Sequence, residues 1–197
     1  MFGTSYWTER TLPSFMNPFS SARPDDDGFD DFSEFVPEHL PDPGPFLEAH
    51  DVLTDDEHVA FHELTRELFE ERGVYDATFG YNLAKLNLDV RHTEAGFRYA
   101  VDADDSSVLR AEFTPTTEFC PQAEALVTGS FRAWNGLGDR HEYDLVRVRV
   151  HPSHHQADPL NESLERLEAE FRETGEIPDP DAGGDGKAEE QQRTSPF

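Results

Sequence analysis

The chain of 197 residues carries a single cysteine, Cys120, only two lysines, Lys85 and Lys187, and no apolar run of membrane-spanning length. One cysteine excludes an internal disulfide, so nothing in the sequence calls for an oxidising compartment. A transmembrane helix would need a run near ~18 apolar residues, and none comes close. The first ten residues, Met1-Phe2-Gly3-Thr4-Ser5-Tyr6-Trp7-Thr8-Glu9-Arg10, lack the basic start and apolar stretch of a signal peptide. A cytoplasmic protein without a membrane partner is therefore expected. Positive charge is scarce as well: 16 Lys and Arg stand against 42 Asp and Glu, for a formal charge of −26. That balance disfavours nucleic-acid phosphate as a partner. The carboxylates are dispersed rather than gathered into one block, which suits halophilic adaptation. At molar salt the Debye length is about 3 Å and their mutual repulsion is screened.

Apolar residues make up 36% of the chain and concentrate between about residues 52 and 172. A core of roughly 100–120 residues can fold alone, and the composition divides the chain accordingly. Residues 1–50, rich in Pro, Asp and Ser, read as a disordered or loosely docked arm. Residues 51–173 read as one domain, and residues 174–197 as a disordered tail. Within the arm, Phe29, Phe32 and Phe35 recur every third residue, a spacing that suits one helical face and a docking role.

Thr54-Asp55-Asp56-Glu57 has the form of a capping box, with Phe61, Leu64 and Leu68 on one helical face and Gly73 as the stop. Leu86, Leu88 and Val90 alternate with polar residues and predict a strand within 82–90. Residues 97–114 read as a hairpin around Asp102-Ala103-Asp104-Asp105-Ser106-Ser107. A helix opening at Pro121, a strand over 143–150 and a helix over 159–172 complete the pattern. The order helix, strand, strand, strand, helix, strand, helix predicts a single small layered α/β domain.

The sharpest local feature is Phe113-Thr114-Pro115-Thr116-Thr117-Glu118-Phe119-Cys120-Pro121. It places a thiol between a strand and a helix start, where the helix dipole and backbone N–H groups favour thiolate. Thr116 and Thr117 are placed to hydrogen-bond the sulfur. A lone cysteine is also commonly just a small buried apolar residue.

The segment Phe113-Thr114-Pro115-Thr116 through Cys120 resembles the pre-cysteine motif of the SufT/PaaD-type iron–sulfur assembly domain family, which includes the eukaryotic cytosolic iron–sulfur targeting proteins. Upstream, Asp76, Gly80, Asn82, Leu86 and Leu88 match that family's Asp-Pro-Glu-x-Gly-x-Asn-(Ile/Leu)-x-x-Leu-Gly-Leu pattern without a gap. Ala77 and Thr78 replace its Pro and Glu, and Asn87 replaces a glycine. Downstream, Ser153-His154 and Asn161-Glu162-Ser163-Leu164 resemble the Thr-His and Asn-Lys-Gln-Leu positions of the eukaryotic branch.

The resemblance implies an accessory protein in iron–sulfur cluster assembly or delivery, not an enzyme. Cys120 would be its functional thiol, supported by Thr116, Thr117, Asp76 and Asn82. Its partners would be iron–sulfur scaffold or client proteins, and a homodimer is compatible with it. No cofactor is expected to be stably bound; a transient iron–sulfur cluster or iron atom would need ligands beyond one thiolate. The alternative is a protein-interaction module that keeps the fold without the thiol chemistry. A third reading makes Cys120 and His154 metal ligands or a nucleophile–base pair, since His151, His154, His155 and Asp158 cluster after the last strand. His58 and His62 are spaced four apart, but Val59 follows the first of them, so the zinc-protease motif is absent.

Overall fold

In the computed structural model, residues 28–177 are described. They form the mixed α/β domain that the residue pattern predicts. The sheet has four strands: β1 (Asp51–Val52), β4 (Gly96–Val101), β5 (Val108–Thr114) and β6 (Leu145–Val150), side by side in that order. The first three run antiparallel to their neighbours, whereas β5 and β6 are parallel. The parallel pair requires a crossover, supplied by helix α2 (Ala123–Gly136). Helix α1 (Asp55–Arg72) precedes a two-stranded hairpin of β2 (Tyr75–Asp76) and β3 (Tyr81–Asn82). Helix α3 (Ala157–Thr174) follows β6.

The register puts Phe97, Tyr99, Phe113, Ala111, Val148 and Val150 on one sheet face. There they meet Phe69, Phe131 and Trp134 of α1 and α2, all fully buried. The opposite face carries Arg98, Arg110, Glu112, Arg147 and Arg149, an alternation of apolar and charged sides that matches the strand period. Three of the arginines on that side are paired internally: Arg110 with Asp102, and Arg147 and Arg149 with Glu168 of α3.

Several expectations change. The segment read as a strand over 82–90 is a 3-10 helix, Leu83–Leu88, capped by the Asn82 side chain accepting from the Ala84 N–H. Asn87, which the alternation put in solvent, is 2% exposed and bonds the backbone of Phe97. Thr54 caps α1 through its carbonyl, which accepts from the N–H groups of Glu57 and His58; its hydroxyl makes no cap bond. Helix α2 starts at Ala123 rather than Pro121, and α3 at Ala157.

Residues 28–50, read as part of a disordered or loosely docked arm, lie against the domain, with Leu47 1% exposed. Phe29, Phe32 and Phe35 share no helical face. They contact Tyr81, His62 and His58 in turn, and cations lie over each ring: Lys85 and Arg91 over Phe29, Arg66 over Phe32, Arg98 over Phe35. Phe46 lies over Arg110, Arg147 and Arg149. The buried Glu112 carboxylate accepts the N–H groups of Gly44 (2.6 Å) and Phe46 (3.2 Å). A side chain at position 44 would collide with Glu112 and the His151 ring, so glycine is required there. The readings of residues 1–27 and of the tail after residue 177 fall outside the described residues. Among the described residues no helix is long and apolar enough to cross a membrane.

Two predictions follow from this packing. Asn135 bonds both backbone groups of Val146, accepting its N–H at 2.8 Å and donating to its carbonyl at 2.9 Å. Asn135→Ala orphans both, and chemical denaturation should show a loss of about 2–6 kcal/mol, at about 1–3 per orphaned group. Burial lowers the pKa of His58 to about 2 and that of His62 to about 4, with the His62 and Arg98 charges adding to the effect at His58. Both rings stay neutral in the fold while an unfolded chain protonates them near 6.5, so stability is full above that pH and falls as pH drops toward 4. Denaturation midpoints between pH 7 and 4.5 should decline, and His62→Gln should flatten that slope by up to about 1.4 kcal/mol per pH unit.

Candidate functional site

Because β5 and β6 are parallel, the segments leaving their C-terminal ends emerge side by side. This is where open α/β sheets commonly place their sites. The first segment, residues 115–122, carries Cys120; the second, residues 151–156, carries His154. A third loop, the turn between β2 and β3, reaches the same place.

The Cys120 segment is held by side chains from its neighbours. The Cys120 N–H donates to the Thr117 carbonyl at 3.3 Å. The Cys120 carbonyl accepts from the Ala123 N–H at 3.3 Å and from Nε2 of His154 at 3.2 Å. Nδ1 of His154 accepts the Gln156 N–H at 3.2 Å, which fixes the neutral tautomer protonated on Nε2. The Glu118 carbonyl accepts both the backbone N–H of His155 (2.9 Å) and its Nδ1–H (2.7 Å). Gln122 then ties the segment to the β2–β3 turn, accepting the Ala77 N–H at 3.1 Å and donating to the Thr78 hydroxyl at 2.6 Å. Asp76, 5% exposed, shapes that turn by accepting the N–H groups of Thr78 (2.7 Å) and Phe79 (3.1 Å).

The structure therefore brings Cys120 and His154 together and joins Asp76 to them through its turn and Gln122. Asn82 sits at the far end of the hairpin, where it donates to the Arg66 carbonyl at 2.9 Å. The position of the thiol differs from the expected one. Cys120 lies three residues before α2 and turns its carbonyl, not its sulfur, toward the first helical N–H groups. The side chain is half-buried and packs against the core. Thr116 is half-buried and Thr117 exposed, and among the described residues neither hydroxyl bonds the sulfur. The ring of His154 meets the Cys120 backbone with one nitrogen and Gln156 with the other, so both are engaged. Among the described residues no group of three or more His, Cys, Asp or Glu side chains is arranged to hold a metal ion.

Beside this segment lies an open cleft of ≈ 630 Å³. Thr116, Thr117, His151 and Ser153 form one wall, and residues of the 91–95 loop face them. Next to Cys120, the Phe119 ring projects into solvent, 61% exposed, braced on the His155 ring at 4.8 Å between centroids. Sequence reasoning passed over Gln122, Glu118 and Phe119. An amide or carbonyl that bonds distant backbone leaves no periodicity to read, but a phenylalanine among polar residues just before a Cys-Pro step was a usable signal.

Removing the imidazole clamp should loosen the segment. His154→Ala is expected to speed alkylation of Cys120 in the native protein and to lower stability by about 0.5–1.5 kcal/mol, the net worth of one hydrogen bond, since the Cys120 carbonyl keeps the Ala123 N–H. Mass-spectrometric alkylation rates beside denaturation curves test both.

No curated protein and no solved structure matches the chain. A family model described as Domain of unknown function (DUF7998) matches residues 27–178, well over half of the 197. Its span takes in the packed arm as well as every strand and helix of the sheet domain, and the chain belongs to that family.

Proposed function

We propose that the protein is a cytoplasmic accessory factor of iron–sulfur cluster assembly or delivery, of the SufT/PaaD type. It would act through Cys120 on a scaffold or client protein, with any cluster or iron held only in passing. The observation that carries this reading is the fastening of the Cys120 segment. Three loops converge on it, and neighbouring residues hold the carbonyls of Glu118 and Cys120 and the side chain of Gln122. A segment held at these points presents its thiol in one geometry, as transfer between partners requires. The motif matches at Asp76, Gly80, Asn82 and the Phe113–Cys120 segment support the same assignment.

A second reading draws on Phe119, the most exposed large apolar side chain among the described residues. Here the loop is a protein-contact knob and the thiol is incidental. Consistent with it, the Cys120 side chain packs against the core.

Two variants in the native host separate the readings. Under the assembly role, Cys120→Ser lowers the activity of iron–sulfur enzymes while circular dichroism and denaturation stay as in the parent. Under the contact reading, Cys120→Ser is silent, and Phe119→Asp abolishes partner capture. Unchanged iron–sulfur enzyme activity in a Cys120→Ser strain would sink the leading proposal.

A further inference from the structure

On the far side of α1 from the arm, a second cleft of ≈ 490 Å³ opens between β1, α1 and the segment before β6. That volume lies within the range of small-molecule sites. Leu53, Leu64 and Val101 give it an aliphatic floor. Three rings, Phe61, His141 and Tyr143, make a wall with centroids 5.8 to 6.4 Å apart. His141 has no nitrogen to spare: Nε2 donates to the Trp134 carbonyl at 3.1 Å, and Nδ1 accepts the Tyr143 N–H at 3.2 Å. It is thus a fixed ring, offering a π face and no free donor.

The rim has one sign. Asp51, Glu57 and Glu142 line the cleft, and no Lys or Arg does. None of the three joins a salt bridge among the described residues. This contrasts with Asp89, Asp102 and Glu168, which are each matched by arginine. Their field reaches the wall: burial raises the Tyr143 hydroxyl pKa, and the charges of Glu142 and Glu57 raise it further. In a chain with 42 acidic residues, carboxylates alone define nothing. A concave apolar floor, a ring wall and an unmatched anionic rim together select a ligand that is both cationic and greasy.

We propose that this cleft binds an organic ammonium ligand with an aliphatic body, of the diamine or polyamine class. Methylenes would lie on Leu53, Leu64 and Val101, and the ammonium groups between the rings and the carboxylates of Glu57, Glu142 and Asp51. The site is independent of the Cys120 reading. Charge attraction alone weakens as salt rises, while ring and aliphatic contacts persist, so binding is expected to survive in molar KCl.

The test is titration of the full chain with 1,5-diaminopentane in molar KCl, followed by amide NMR. Saturable, single-site shifts confined to residues around Leu53, Phe61 and Tyr143 are expected, with 1,5-pentanediol and Mg²⁺ producing none there. The Glu57→Gln/Glu142→Gln pair should weaken binding about tenfold or more. The matched pair Glu162→Gln/Glu170→Gln on α3 should leave it unchanged. Shifts scattered over the surface, an equal response to Mg²⁺, or insensitivity to the rim pair would overturn the proposal. Tighter binding of a blocked lysine amide than of the diamine would also overturn it, assigning the cleft to a protein side chain.

Discussion

Three asparagines close the sheet. Asn87, Asn135 and Asn161 each grip a single strand residue by both backbone groups: Phe97 on β4, Val146 and Val150 on β6. A four-stranded sheet with one two-residue strand leaves most of its two edges without a partner strand. Unpaired edge N–H and C=O groups invite association with other chains or, when buried, cost about 1–3 kcal/mol apiece. An asparagine amide sets an N–H donor beside a C=O acceptor in the spacing of a peptide group, so each stands in for one residue of a missing strand. Two of them come from α-helices, which ties the placement of α2 and α3 to the sheet's hydrogen bonding as well as to the core. Asn161 grips Val150, the last residue of β6, so it also sets where the His154 loop begins. Gly96 belongs to the same device: its φ of +118° and its contact with Asn87 leave no room for a side chain.

The scarcity of positive charge acquires a structural meaning on the opposite face. Arg98 and Arg149 are less than a tenth exposed, and burial lowers the pKa of each. A chain with 16 basic residues thus places some of its cations indoors, against Glu168, Asp102 and the rings of the arm. Interior pairs are screened by salt much less than surface pairs. In a salt-loaded solvent this is where a cation contributes most, while the outer surface is left to carboxylates. The arm completes the arrangement, because Phe46 covers three of the arginines and Glu112 secures the backbone on either side of Pro45. Residues 28–50 are in that sense part of the sheet's second layer.

Much of this was legible. The strand over 145–150 alternates cleanly between valine and arginine, and both sides of that alternation proved meaningful. The hairpin over 97–114 announced itself through its aspartate- and serine-rich turn. What failed had a common physical cause, side chains whose partners lie outside any local period. Asn87 broke the reading of 82–90, since a buried asparagine mimics a solvent-facing strand position. The phenylalanines of the arm suggested a helix by their spacing, yet their partners are His58, His62, Tyr81 and scattered cations, which no local period encodes. At the site, residue types singled out Cys120 and His154, which the structure brings together, but not the fact that the imidazole holds the cysteine's carbonyl instead of its sulfur.

That last difference bears on how the Cys120 segment works. The departures from the iron–sulfur family pattern at Ala77 and Thr78 are the residues that Gln122 engages. A proline at position 77 would have no N–H to give, so this contact requires another residue there. Gln122 fastens the β2–β3 turn to the loop. The segment is fastened by its own Gln122 and, from outside, by His154 and His155, which leaves the side chains of Phe119 and Cys120 outside these bonds. Phe119 is turned outward and the Cys120 side chain sits at the boundary between core and solvent, the two positions from which a neighbouring protein could be met.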